Sequence, residues 1–276
     1  MKLNTYQLGQ GTWLMAENKD RYADEFAALS FGIENGLTLI DTAEMYGDGN
    51  AERLVGDVLR QFQRESLFIV SKVYPHNASM ARMKTACLNS LQRLGTSYLD
   101  LYLLHWPGSV PLEETVAAFE LLKKEDLIKS WGVSNFDVAD MEALWKVPDG
   151  SNCAVDQVLY HIASRGIEYD LIPWLEKHQV GLMAYAPLAH SDLYRGKIVE
   201  NPALKAVAAK YQASICQVML AFAIRHEHTI ALPKASKIGH ISDNLGSLRI
   251  KLTDEDLSAI DAAFPAPAAK KVLDIL

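Results

Sequence analysis

Residues 67–105, LFIVSKVYPHNASMARMKTACLNSLQRLGTSYLDLYLLH, contain the pattern that decides the fold. An apolar run of strand length, Leu67 to Lys72, is followed by Met83, Cys87, Ser90, Leu91 and Leu94 at helical spacing. A second apolar run, Leu99 to His105, then closes the unit. Two strands separated by one amphipathic helix read as parallel neighbours, because a helix crossover returns the chain to the same sheet edge. The unit recurs in both directions. Further strands are expected at Gly9 to Trp13, Leu37 to Asp41, Ile128 to Ser134, Ala154 to Gln157, Gly181 to Tyr185 and Thr229 to Pro233. Helical stripes are carried by Tyr22, Phe26, Leu29 and Ile33, by Leu54 to Phe62, and by Leu112, Val116, Phe119 and Leu122.

The spacing separates a closed barrel from an open sheet. The strand ends Trp13, Asp41, Lys72, His105, Ser134, Gln157, Tyr185 and Pro233 lie 28, 31, 33, 29, 23, 28 and 48 residues apart. Eight such units predict an α/β fold of the (β/α)₈ barrel type, with room for an extra loop and helix in the last interval. A doubly wound sheet would have fewer strands, and its dinucleotide turn GxGxxG is incomplete at Gly9-Gln10-Gly11-Thr12-Trp13-Leu14. Residues 1–8 would cap the N-terminal end of the barrel. Thr253 to Phe264 would form a final helix capped by Thr253, ahead of a Pro-rich PAPAAK tail. Gly36 and Gly95 are placed to end helices, and Asp137 to cap the fifth.

Composition narrows the function. The chain has 276 residues with no flexible linker, read as one domain over 1–276, and a net charge of −7 with no basic run longer than a Lys pair. That excludes the cationic stripe nucleic acids require. No stretch reaches the roughly 18 apolar residues of a membrane span, and the first ten residues lack a signal-peptide core, so the expected setting is cytoplasmic with no membrane partner. Cys87, Cys153 and Cys216 are far apart and expected to be buried packing residues. No metal site is expected, since no ligand motif accompanies the eight histidines.

In a barrel of this type the chemistry belongs at the C-terminal strand ends. There the sequence places Asp41, Lys72, His105, Ser134-Asn135, Gln157 and Tyr185. A buried ammonium needs a carboxylate, which makes Asp41 and Lys72 a pair. Tyr46, five residues past Asp41, can reach Lys72, and a nearby cation lowers a phenol from its usual ~10, making it a general acid. His105 can donate one N–H to a carbonyl oxygen beside that phenol. Reduction of the carbonyl needs a hydride from a cofactor, since no side chain supplies one. Tyr185 is suited to stack on a flat ring, and Ser134, Asn135 and Gln157 to bind a carboxamide. Trp13, Tyr74 and Trp106 are expected to line an apolar substrate pocket beside Tyr46 and His105. His76 and His190 read as solvated loop residues, and Arg195 and Lys197 as soluble cations outside the site.

The segments GQGTW (9–13), GLTLIDTAEMYGDGNAERLVG (36–56), LYLLHWP (101–107), WGVSNF (131–136) and LPKASKIGHISDN (232–244) resemble the aldo-keto reductases over nearly the whole chain. The resemblance implies a catalytic tetrad on Asp41, Tyr46, Lys72 and His105. It implies a nicotinamide site on Ser134, Asn135, Gln157 and Tyr185. It assigns further cofactor contacts to Gly11, Thr12, Trp13 and Asp41, to Pro187 and Leu188, and to Lys234, Ser236, His240, Asp243 and Asn244. The chain is similar to the short bacterial branch with methylglyoxal reductase-type members, which reduce small aldehydes, 2-oxoaldehydes and activated ketones with NADPH. One departure concerns the cofactor's 2′-phosphate: Ala235 and His240 stand where many members have serine and arginine. An imidazole lacks the guanidinium fork, so NADPH is the expected cofactor with NADH a serviceable second. A monomer is expected. Two other readings use the same barrel, a nicotinamide-binding regulatory subunit with little turnover and a Schiff-base aldolase with Lys72 as nucleophile.

Overall fold

The computed structural model describes residues 5–189 and 192–276. Eight strands follow one another in a single sheet: β1 (Gln10–Gly11), β2 (Leu39–Asp41), β3 (Phe68–Val73), β4 (Leu99–Leu104), β5 (Ile128–Ser134), β6 (Val155–Leu159), β7 (Gly181–Tyr185) and β8 (Thr229–Leu232). Every pairing is parallel. The sheet closes on itself where the Gly9 N–H donates to the Ala231 carbonyl at 2.9 Å and the Gly11 N–H to that of Pro233 at 3.1 Å. The predicted barrel is therefore present.

Strand alternation sorts the core into two layers. Leu39, Val70, Leu101, Leu103, Val155, Met183, Ile230 and Leu232 fill the interior, and Tyr6 packs beneath them against Phe68, capping the N-terminal end as expected for the described part of residues 1–8. Their neighbours in sequence, such as Ile40, Ile69, Tyr102, Leu104 and Ala184, face outward and join the larger core under the helices. The same two-residue step carries the inward face up to Asp41, Lys72, His105, Ser134, Gln157 and Tyr185. Gly132 is required on this face, because a Cβ there would stand 2.6 Å from the Val155 carbonyl oxygen.

The helices are α1 (Tyr22–Glu34), α2 (Asn50–Leu59), α3 (Met83–Leu94), α4 (Leu112–Lys124), α5 (Val138–Trp145), α6 (Leu171–His178), α7 (Asp192–Val199), α8 (Pro202–Lys210), α9 (Ile215–Ala223), α10 (Ile238–Gly246) and α11 (Asp254–Ala263). Asp137 and Thr253 form the expected caps, each in a reciprocal capping box, and Gly95 ends α3 in the left-handed conformation. The long interval before β8 holds α7, α8 and α9, one helix more than the regular and the extra one expected.

After α11 the chain crosses the C-terminal end of the barrel. Lys270 donates to Asp170 at 2.7 Å and to Asp137, and Ser164 donates to Asp274. This strap follows the PAPAAK segment, whose composition alone gave it no position.

Candidate active site

Lys72 lies at the last inward position of β3 and is fully buried. Its ammonium has three donors and three acceptors: Asp41 Oδ2 at 2.7 Å, Tyr46 Oη at 2.9 Å and the Thr42 carbonyl at 3.0 Å. A buried cation is tolerated on such terms, with a carboxylate partner and no proton left unbonded. The other Asp41 oxygen, Oδ1, accepts from Gln157 Nε2 at 2.8 Å, and Thr12 Oγ1 donates to the Asp41 carbonyl at 3.0 Å. One expectation changes here: Thr12, expected at the cofactor, is a buried brace on the strand that presents Asp41. Gln157 is held by the Asp41 carboxylate through Nε2.

Burial would lower the Lys72 ammonium, yet the charge of Asp41, with Tyr46 adding to it, holds it above its ordinary value. Tyr46 corrects a prediction. Burial raises its phenol above the ordinary 10, and Asp41 adds to this, so the lowering by Lys72 is outweighed. The phenol therefore keeps its proton through neutral pH, as a proton donor must. His105 is neutral, as expected: burial first, then Lys72, lowers its imidazole to about 2. Its ring stands edge-on to Tyr46 at 5.7 Å between centroids.

The next three strand ends form a second connected set. Asn135 occupies a left-handed conformation with φ 60°, which turns its side chain across the mouth. Its Nδ2 donates to the His105 carbonyl at 3.1 Å and to Ser134 Oγ at 3.2 Å, and its Oδ1 accepts from Tyr185 Oη at 2.9 Å. Ser134 donates in turn to the Gln157 carbonyl at 2.7 Å.

A cavity of about 750 Å³ opens above these groups. Trp13, Tyr46, His105, Trp106, Ser134, Asn135, Gln157 and Tyr185 line it, as the sequence suggested. Tyr74 does not; it stacks on His76 and stands edge-on to Trp106, supporting the wall from behind. The strap supplies lining that sequence reasoning missed, namely Val272, Leu273, Ile275 and Leu276, together with Met45 from the β2 loop. The apolar pattern VLDIL was the available signal.

A second cavity, about 230 Å³, begins immediately after Tyr185. Pro187, Leu188, Lys234, His240, Asp243 and Asn244 line it as expected, whereas Ser236 and Gly11 do not. Gly11 instead pairs in the barrel wall with Asp41 and Lys234. Arg195 and Cys216 line this cavity too, against the readings of a cation outside the site and a buried packing residue; Cys87 and Cys153 are buried as expected. His190 lies outside the described residues. No group of metal-ligating side chains occurs among the described residues.

Barrel, buried Lys72 pair and lined cavity are those of one class of oxidoreductase. Residues 7–264 match the Aldo/keto reductase family, and the chain belongs to that family. It is 50% identical over 269 residues to methylglyoxal reductase YeaE of Escherichia coli K12, covering 98% of this chain and 94% of that one. It is 34% identical to a glyoxal reductase of Bacillus subtilis, covering 83% and 80%. A crystal structure of an aldo/keto reductase from Klebsiella pneumoniae in complex with NADP and acetate superposes with a TM-score of 0.95 at 48% identity, covering 98% and 95%.

Proposed function

We propose that the protein reduces small aldehydes, 2-oxoaldehydes or activated ketones to alcohols with NADPH, Tyr46 acting as general acid. The observation that carries this reading is the saturated Lys72 ammonium, which spends one hydrogen bond on the phenol lining the cavity. The donor set fits the cofactor: Asn135, Ser134 and Tyr185 offer amide and hydroxyl groups at one cavity, and a cation-lined cavity continues from it. Bound there, reduced nicotinamide supplies a hydride to the carbonyl carbon.

As the carbon–oxygen double bond opens, the Tyr46 hydroxyl gives its proton to the oxygen and the alcohol forms. Lys72, 2.9 Å away, compensates the phenolate left behind, which regains a proton from solvent. Asp41 keeps Lys72 charged and in place. The neutral His105 imidazole donates to the carbonyl oxygen without competing to protonate it. Trp13, Trp106 and the strap keep water from the reacting carbon.

The same charge state argues against the aldolase reading, because a protonated ammonium has no lone pair for a carbonyl. We take the acting form to be a monomer with a small carbonyl compound as its partner. The test follows reduced-nicotinamide absorbance with methylglyoxal and with an aromatic aldehyde, using NADPH and NADH side by side. Consumption with either aldehyde is expected. Tight cofactor binding with no consumption across a carbonyl panel would favour the regulatory reading.

A further inference from the structure

The second cavity lies on the rim between β7 and β8, beyond the nicotinamide end of the site. Its lining carries three cationic or basic side chains, Arg195 from α7, Lys234 after β8 and His240 in the first turn of α10. One carboxylate stands in the same wall: Asp243 Oδ2 accepts from Ser214 Oγ at 2.8 Å, and its backbone carbonyl accepts from Gln217 Nε2 at 3.0 Å. The side of α10 that carries His240, Asp243 and Asn244 forms this wall, and Lys237 gives the helix no side-chain cap. The cavity therefore gathers three basic side chains against one carboxylate.

Of its lining residues, Arg195 has the chemistry that a phosphate rewards most. A planar guanidinium offers two parallel N–H donors, whereas an imidazole offers one at a time and an ammonium is a point charge. Among the described residues the partner of the Arg195 guanidinium is the Cys216 thiol, with Nη2 to Sγ at 3.9 Å. Sulfur is a weak acceptor, so the contact rests the guanidinium on the cavity wall without neutralising it. On the far side, Lys234 bridges Gly11 through its backbone, and its ammonium lines the cavity as a point charge without a fork. His240, in the first turn of α10, contributes shape and a single donor.

Building on the NADPH reading above, we propose that Arg195 of α7, and not His240 of α10, is the specificity-determining residue that reads the phosphate distinguishing NADPH from NADH. A cation from the α7 segment thereby takes the part that the sequence of α10 leaves without an arginine.

The experiment is a titration of the full chain with NADPH and with NADH, read by quenching of intrinsic tryptophan fluorescence, with no turnover involved. Arg195→Met is expected to weaken NADPH about 10- to 100-fold, the size of a lost charge-assisted pair, and to leave NADH within about twofold. Arg195→Lys should fall between, since charge returns without the fork. Lys197→Met, which removes the same charge from the same helix outside the cavity, should leave both affinities unchanged. The salt dependence of NADPH binding should become shallower in Arg195→Met alone.

Equal loss for both cofactors in Arg195→Met, unchanged NADPH affinity, or a selective loss carried by His240→Gln instead would overturn the proposal. Failure of the unmodified chain to bind either cofactor would overturn the NADPH reading itself, an outcome separate from all of these. Thermal melting of each variant confirms that the fold is intact, as expected for exposed positions on α7.

Discussion

The two cavities share a rim but are built on opposite terms. Around Tyr46 nearly every polar atom is already spent: Lys72 on three acceptors, Asp41 on Lys72 and Gln157, Asn135 on His105, Ser134 and Tyr185. Around Arg195 and Lys234 the side chains are exposed and the cations hold few partners among the described residues. A proton transfer needs donors fixed before the substrate arrives, because reorganisation would add to the barrier. A phosphate at an exposed rim is met by side chains that can still reorganise as it arrives. Buried charge must therefore be matched residue by residue, and exposed charge need not be.

The comparison breaks most visibly at Tyr46. Tyr46→Phe keeps the ring and removes the proton, so turnover should fall about 10²- to 10⁴-fold while the cofactor titration stays unchanged. Steady-state rates beside fluorescence titration check this, and undiminished turnover would sink the mechanism.

Next in size is the buried pair. Lys72→Met strands the Asp41 carboxylate in the barrel interior and should cost about 3–5 kcal/mol in a denaturant melt, whereas Asp41→Asn with Lys72→Met should recover part of the loss. If the double variant is no more stable than the single one, the pair is not the coupled unit described. Charge removal at exposed Arg195 should leave the same melt unmoved, which sharpens the contrast between the cavities.

Acid stability gives a third test. Burial lowers His105 to about 2 and His161 and His226 to about 4, against about 6.5 in an unfolded chain. Between those values the unfolded chain binds more protons at these three positions, so their contribution is flat above pH 6.5 and falls as pH drops below it; the buried Asp156 carboxyl, raised by burial, opposes this with a single proton. Each histidine contributes on the order of 1 kcal/mol per pH unit in that window. Melts between pH 8 and 5 check the direction; stability rising on acidification would contradict the buried neutral imidazoles.

The smallest effect is expected at the strap. Lys270 is partly exposed, and its two ion pairs with Asp137 and Asp170 are worth no more than about 1 kcal/mol. Lys270→Ala should raise KM for an apolar aldehyde by up to about fivefold with kcat nearly unchanged. A fall in kcat without a change in KM would show that the strap does more than line the pocket.

The barrel was legible because its signal repeats: each strand is a short apolar run, each helix an apolar stripe, and the spacing near thirty leaves little choice of topology. The residues at the strand ends were legible for a related reason. Period-two alternation fixes which side chains face inward, so Asp41, Lys72, His105, Ser134, Gln157 and Tyr185 were bound to meet at one mouth once the strands closed. What they do to one another was not. The sign at Tyr46 depends on desolvation set against one cation and one carboxylate, a balance that exists only when all are buried together.

Chain order and composition by themselves determined the parallel barrel, the identity of its inward-facing groups and the kind of chemistry they support, because those follow from local periodicity. Only the tertiary structure decided that Gln157 binds Asp41, that Tyr74 stands behind Trp106, that the segment after the Pro-rich stretch walls the cavity above Tyr46 and that Arg195 lines the second cavity. Each of these rests on a contact between segments whose separation no local pattern encodes, and loop and tail positions are set by what the finished barrel offers them to pack against.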